Sequence, residues 1–304
     1  MSKRNPNIGL DPETRYVEIY RNLSTYEFPW DINQSLSFAL FRTYAVPSIG
    51  KLLDETGAFT NDTQKRYDDT SILLELPLLD GFDSRNGKAA LRRINQMHHM
   101  YDISNADFLY VLSTFVVVPA RWIEKFGWRQ LTAAELRASV RYYQTLGKHM
   151  GIKDIPDTFE DFATFMDSYE AEHFAFDPGA RRVADSTLDL LASFYPSFAK
   201  PIIDVFSRSL MDKSLLAAFH YRDPGTFARR ASEGALKIRA RIVAVLPSRS
   251  TPLHVHDMPR IKSYPNGFDI PKMGTFTPGC PVRHTAATDS AGADEPAPES
   301  SPAN

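Results

Sequence analysis

The chain has 304 residues, enough for one large domain, and its 43% hydrophobic and 12% aromatic content is that of a globular protein with an ample core. A formal net charge of −2, with basic residues scattered apart from pairs such as Arg92-Arg93 and Arg229-Arg230, excludes broad electrostatic capture of nucleic acid. A single cysteine, Cys280, excludes an intramolecular disulfide and fits a reducing compartment, so a cytoplasmic protein is expected.

In chain order, the opening "MSKRNPNIGLDPETR" lacks the apolar core of a signal peptide, and residues 1–12 are expected to be flexible. A helical period then dominates residues 13–275, with helices expected near 32–55, 62–79 and 84–101. Ser104, with Asp107 three residues on, opens another helix. Its apolar run "FLYVLSTFVVVPA" contains Ser and Thr, ends in Pro, and is expected to be buried rather than to span a bilayer. Thr132 and Glu135 have capping-box spacing. Phe162, Phe165, Met166, Tyr169 and His173 form one stripe of the next helix. Further helices are expected near 181–195, 199–221 and 225–246, with Pro156, Pro178-Gly179, Pro196, Pro224-Gly225 and Pro247 at the joints. No strand alternation is sustained, so the fold class is all-α, a single helical domain. The end of the chain, residues 276–304, is rich in Ala, Ser, Pro and acidic residues and is expected to be disordered.

Two constellations carry candidate chemistry. In "NQMHHMYDISN", Ala90, Leu91, Ile94, Met97, His98 and Tyr101 share one apolar face. His98 therefore faces inward, and His99, about 100° away, faces the polar side. An inward imidazole is either a core histidine with satisfied nitrogens or a ligand to a metal or haem iron, and periodicity alone leaves both open. Upstream, in "TQKRYDDTSILLELP", Arg66, Asp69 and Thr70 stand at i, i+3 and i+4. They read either as a surface pair or as a polar patch at the mouth of an apolar cavity. In the second case the guanidinium stabilises negative charge and Asp69 is a candidate general base.

Other candidates are weaker. His254-x-His256 lies in a Pro-bearing loop without a third ligand nearby in sequence and reads as surface. His173 is a reserve ligand, while His149 and His220 sit near helix C-termini, where structural roles are expected. Cys280, in "FTPGCPV", lacks the setting of a thiolate haem ligand. "PNGFDIPKMGTF" has loop glycines but no phosphate-binding pattern.

The stretches "FRTYAVPSIGKLLDETGAFTNDTQKRYDDTSILL", "LRRINQMHHMYDISNADFLYVLSTFVVVPARWIEKFGWRQLTAAE" and "MGIKDIPDTFEDFATFMDSYEAEHFAF" together resemble the MpaB-type oxygenases. That family includes fungal ER-bound oxygenases and shares its catalytic domain with the bacterial rubber oxygenase, the latex-clearing protein. The resemblance covers roughly residues 28 to 270. It implies a globin-like helical core, one b-type haem, and dioxygen-dependent cleavage of a carbon–carbon double bond in an isoprenoid or other apolar chain. It further implies that His98 is the proximal iron ligand and that Arg66 and Thr70 line the distal side. Asp69 stands where the rubber oxygenase has a lysine, and Asn95 and Asp102 stand where it has arginines. Two other classes remain beside this expectation: a haem-binding carrier or gas sensor without turnover, and a cofactor-free helical protein that binds lipids or a partner.

Overall fold

The computed structural model describes residues 5–274. The 276–304 tail, expected to be disordered, and Cys280 lie outside the described residues. Among these residues there are thirteen α-helices and no strand.

α1 (Tyr16–Asn22) runs into a single π-helical turn over Leu23–Glu27, and neither was anticipated. The helix expected over 32–55 is two, α2 (Pro29–Thr43) and α3 (Pro47–Glu55). Pro47 breaks it, because the residue before a proline is driven out of the α region, and Val46 is extended at φ −89°, ψ 114°. After a short α4 (Ala58–Asn61) come α5 (Thr63–Asp80) and α6 (Arg85–His98), close to expectation.

α7 (Asn105–Phe126) starts where Ser104 accepts from the Asp107 amide. It extends the apolar run to 22 residues, so by length and composition it is able to cross a membrane; 67% of its most apolar window is buried inside the protein. α8 (Ala133–His149) has the capping box read from Thr132 and Glu135, and α9 (Phe159–His173) is capped by Thr158. α10 (Pro178–Ser193) is capped by Asp177. The helix expected over 199–221 divides into α11 (Lys200–Ser209) and α12 (Lys213–Ala218), because Asp212 caps a new start by accepting from the Leu215 amide. α13 (Thr226–Val245) completes the helices.

The main core lies between α2, α7, α8 and α9, where Phe28, Ile32, Tyr110, Val117, Ile123 and Phe162 are buried. Two of its polar inclusions pair with each other. Arg42 binds Glu170 at 2.7 Å through Nε, and the Tyr110 hydroxyl donates to the same carboxylate at 3.0 Å. The start of the chain is also tied down where looseness was expected: Asn5 and Asn7 both donate to Glu135, at 3.0 and 2.9 Å, and Asn7 is buried.

Beyond α13 the chain crosses back over α5 and α6 as an irregular strap, residues 253–274. Three buried carboxylates of α5 hold it. Glu75 accepts from the backbone amides of Val255 and His256 and from His256 Nδ1, the last at 2.9 Å. Asp68 accepts from the amides of Lys262 and Ser263, at 3.0 and 2.8 Å. Asp69 accepts from the Tyr264 hydroxyl. Beneath these bonds Met273 packs into a small core with Ile72, Leu73, Leu76, Ala90 and Ile94. His256, read from sequence as a surface residue, is therefore pinned to a buried acid, a contact with no local sign along the chain because Glu75 lies 181 residues away.

Candidate functional site

The last turn of α6 carries His98 and the first two turns of α5 carry Arg66, Asp69 and Thr70. His98 is half-buried and His99 exposed, as the apolar period of α6 dictates. The Nδ1 atom of His98 lies 2.9 Å from the backbone carbonyl of Ile94, one turn back. A carbonyl only accepts, so Nδ1 carries the proton and Nε2 keeps its lone pair. Burial pushes the imidazole pKa down to about 4, with the charges of Arg66 and His99 adding to the effect. The ring is thus neutral near pH 7, with its unprotonated nitrogen available to a Lewis acid. Phe108 stands edge-on to it at 5.3 Å.

His98 lines an open pocket of about 310 Å³, bordered by Tyr101, Ile103, Phe108, Met150 and Ile152 and also by the polar Asn95, His99, Asp102, Asn105 and Lys153. That volume is at the lower end of ligand-binding pockets, roughly 300 to 1,000 Å³. One wall is the connection over residues 99–104, which has no regular secondary structure.

Arg66 and Thr70 are brought together. Arg66 Nη1 donates to Thr70 Oγ1 at 2.5 Å, and that hydroxyl donates on to the Arg66 carbonyl at 2.9 Å. The guanidinium lies over the Phe59 ring at 5.2 Å. Among the described residues no carboxylate forms an ion pair with it, so most of its five N–H donors remain for a ligand. Burial lowers its pKa, and the nearby Tyr44, Asp69 and Tyr101 oppose that shift. Its field reaches His98, but neither Arg66 nor Thr70 is part of the cavity wall.

Asp69 does not join this pair. Its Oδ2 accepts from Lys65 Nζ at 2.7 Å and its Oδ1 from the Tyr264 hydroxyl. Both oxygens of a fully buried carboxylate are thereby engaged, one by Lys65 of the same helix and one by the strap, which leaves none aimed at a substrate proton. Spacing along α5 could not distinguish these roles, because the lysine sits on the same helix but the tyrosine arrives from far along the chain.

Three further histidines stack on aromatic rings away from this pocket. His173 Nδ1 pairs with the Tyr169 carbonyl at 3.0 Å, and its ring stacks on Tyr169 at 4.0 Å. His149 stacks on Phe82 and His220 on Phe176. Among the described residues no group of three or more His, Cys, Asp or Glu side chains forms a metal-binding cluster. A single axial imidazole is the form of metal ligation that this donor set fits.

Sequence comparisons agree with the region these helices span. A family profile described as "ER-bound oxygenase mpaB/B'/Rubber oxygenase, catalytic domain" matches residues 34–245. The chain is 33% identical over 224 residues to the ER-bound oxygenase mpaB' of Penicillium brevicompactum, covering 68% of this chain and 53% of that protein. It is 32% identical over 220 residues to the ER-bound oxygenase mpaB of the same organism, covering 66% and 56%. It is 29% identical over 222 residues to the ER-bound oxygenase mpaB of Penicillium roqueforti, covering 67% and 74%. The chain thus spans about half the length of the first two relatives.

Proposed function

Because the chain belongs to the family of the ER-bound oxygenase mpaB/B' and rubber oxygenase catalytic domains, we propose that it is a haem-b-dependent oxygenase. Its substrate would be an isoprenoid or other unsaturated apolar chain, with dioxygen as co-substrate. The observation that carries this reading is the state of His98: a neutral imidazole at a cavity wall, with Nδ1–H held by the Ile94 carbonyl and Nε2 free.

Each residue then has a defined task. His98 would hold the iron through Nε2, and the Ile94 carbonyl fixes the tautomer and ring orientation and raises the basicity of the ligating nitrogen. Haem iron, when bound, supplies the activation of dioxygen. Phe108, Met150 and Ile152 would give an apolar substrate its contact surface beside the ring. Arg66, with spare donors and a position fixed by Thr70, would stabilise negative charge that develops on the oxygen side. Asp69 has no part in this scheme, since its oxygens are already engaged. We keep a cytoplasmic location as part of the proposal, beside relatives whose names describe them as ER-bound.

The test is a spectrum. Protein purified after haem supplementation should show a Soret band whose shape changes or disappears in His98→Ala, while far-UV circular dichroism is retained. Oxygen uptake with a polyprenyl substrate should accompany the band in the wild type. A wild-type protein with no Soret band would end the haem reading, and an unchanged band in His98→Ala would end the ligand assignment.

A further inference from the structure

Away from the cavity, α11 and α13 present an apolar surface that no described residue covers. Phe198 is 82% exposed, Phe227 88% and Val245 84%. Ile202, Ile238 and Ile242 are exposed with them. Scattered single hydrophobics are ordinary on a protein surface. These are not scattered. Phe198 and Ile202 are four residues apart around the start of α11, and Ile238, Ile242 and Val245 follow the i, i+4, i+7 spacing of one face of α13. Arg229, in the first turn of α13, donates to the carbonyls of Ser209 and Met211 at the end of α11. The first turn of α13 is therefore tied to the end of α11, and both helices leave large apolar side chains exposed.

The charges on this face have one sign. Arg230, Lys237 and Arg241 are exposed on α13 and form no ion pair among the described residues. The one acid of α13, Glu233, is engaged by Lys125, and the one acid of α11, Asp204, by Arg208. An exposed helical face of large apolar side chains flanked by unpaired cations is the composition of an interfacial, in-plane membrane helix. It opposes self-association. A two-fold contact through the same face would set Arg230, Lys237 and Arg241 against their own copies without a facing acid.

From this juxtaposition we infer that the α11–α13 face docks onto a bilayer surface bearing anionic lipid. The aromatic and aliphatic side chains enter the headgroup boundary, and the three cations meet lipid phosphates and carboxylates. The inference is independent of the haem reading, since none of these residues lines the cavity.

Vesicle co-sedimentation tests it. The full chain should pellet with phosphatidylcholine vesicles containing phosphatidylserine, weakly with phosphatidylcholine alone, and less as salt is raised. The triple variant Arg230→Gln/Lys237→Gln/Arg241→Gln should lose on the order of a hundredfold in affinity for the anionic vesicles. The triple variant Phe198→Ser/Phe227→Ser/Val245→Ser should lose the binding that survives in high salt. All six positions are exposed, so both variants should keep the wild-type melting curve. Absence of wild-type binding to anionic vesicles overturns the proposal, as does undiminished, wild-type binding by both variants. It is equally overturned if the wild type is a dimer that the serine variant dissociates, because the face then belongs to a second copy.

Discussion

A neutral imidazole at position 98 leaves a thermodynamic signature that needs no cofactor to observe. Its pKa is about 4 when folded, against an ordinary value of 6.5. Between those values the unfolded chain binds a proton that the folded one refuses, so stability is full above about pH 6.5 and is lost as pH falls towards 4. With allowance for its partial exposure, the loss is roughly 2–3 kcal/mol over that window. In urea unfolding of the cofactor-free protein, the wild type should weaken between pH 7 and pH 5 more steeply than His98→Gln. Parallel pH dependence of the two proteins would refute a buried neutral His98. The sequence reveals this residue because its signal is local: one apolar stripe on α6 decides which of two adjacent histidines turns inward. The role of Asp69 could not be read the same way. Its neighbour Lys65 is visible at i−4, but Tyr264 is 195 residues away.

At the scale of elements, two helix starts were legible from the caps that the chain supplies. Ser104 and Thr132 each accept from the third amide of the helix that follows. Breaks inside an unbroken apolar period were less legible, since the rhythm continues across Val46 and across Asp212 while the backbone does not. Close packing is another property that the period does not carry. Gly50, on α3, meets α10 so closely that a Cβ there would lie 2.3 Å from the Tyr44 carbonyl and 2.5 Å from Ala180 Cβ. Both are fixed by their own elements, so Gly50→Ala must separate the helices. The expected cost is about 1–3 kcal/mol, as for other overpacked cores. Differential scanning calorimetry should register it as a lower melting temperature by several degrees. An unchanged or raised transition would show that α3 and α10 have slack the structure does not display.

For the whole molecule, the strap over residues 253–274 is as structural as any helix, although it lies past the 34–245 region matched by the family profile. It meets both helices that carry the site. Glu75, Asp68 and Asp69 hold it to α5, and Arg93 of α6 donates to the Met273 carbonyl at 2.6 Å. A chain ended after residue 252 would leave three buried carboxylates without these partners and uncover the Ile72–Leu73–Ile94 core. Hydrogen bonds to charged groups contribute about 1.5–3 kcal/mol each, and a domain's total stability is about 5–15 kcal/mol. The shortened chain should therefore show no cooperative thermal transition by circular dichroism. A sharp melt close to that of the longer protein would contradict the accounting. This dependence is invisible in a residue-by-residue reading, where the strap is a Pro- and Gly-bearing loop with no period at all.

The same acid row sets a schedule for synthesis. Glu75 leaves the ribosome 180 residues before Val255, the first of its partners. At about 5–20 residues per second, α5 waits roughly 10–40 s with its three acids facing water instead of the strap. Helix α6 is made early in that interval, so the Ile72–Leu73–Ile94 core between α5 and α6 stays uncovered in the nascent chain for its whole duration, until the strap arrives to cover it.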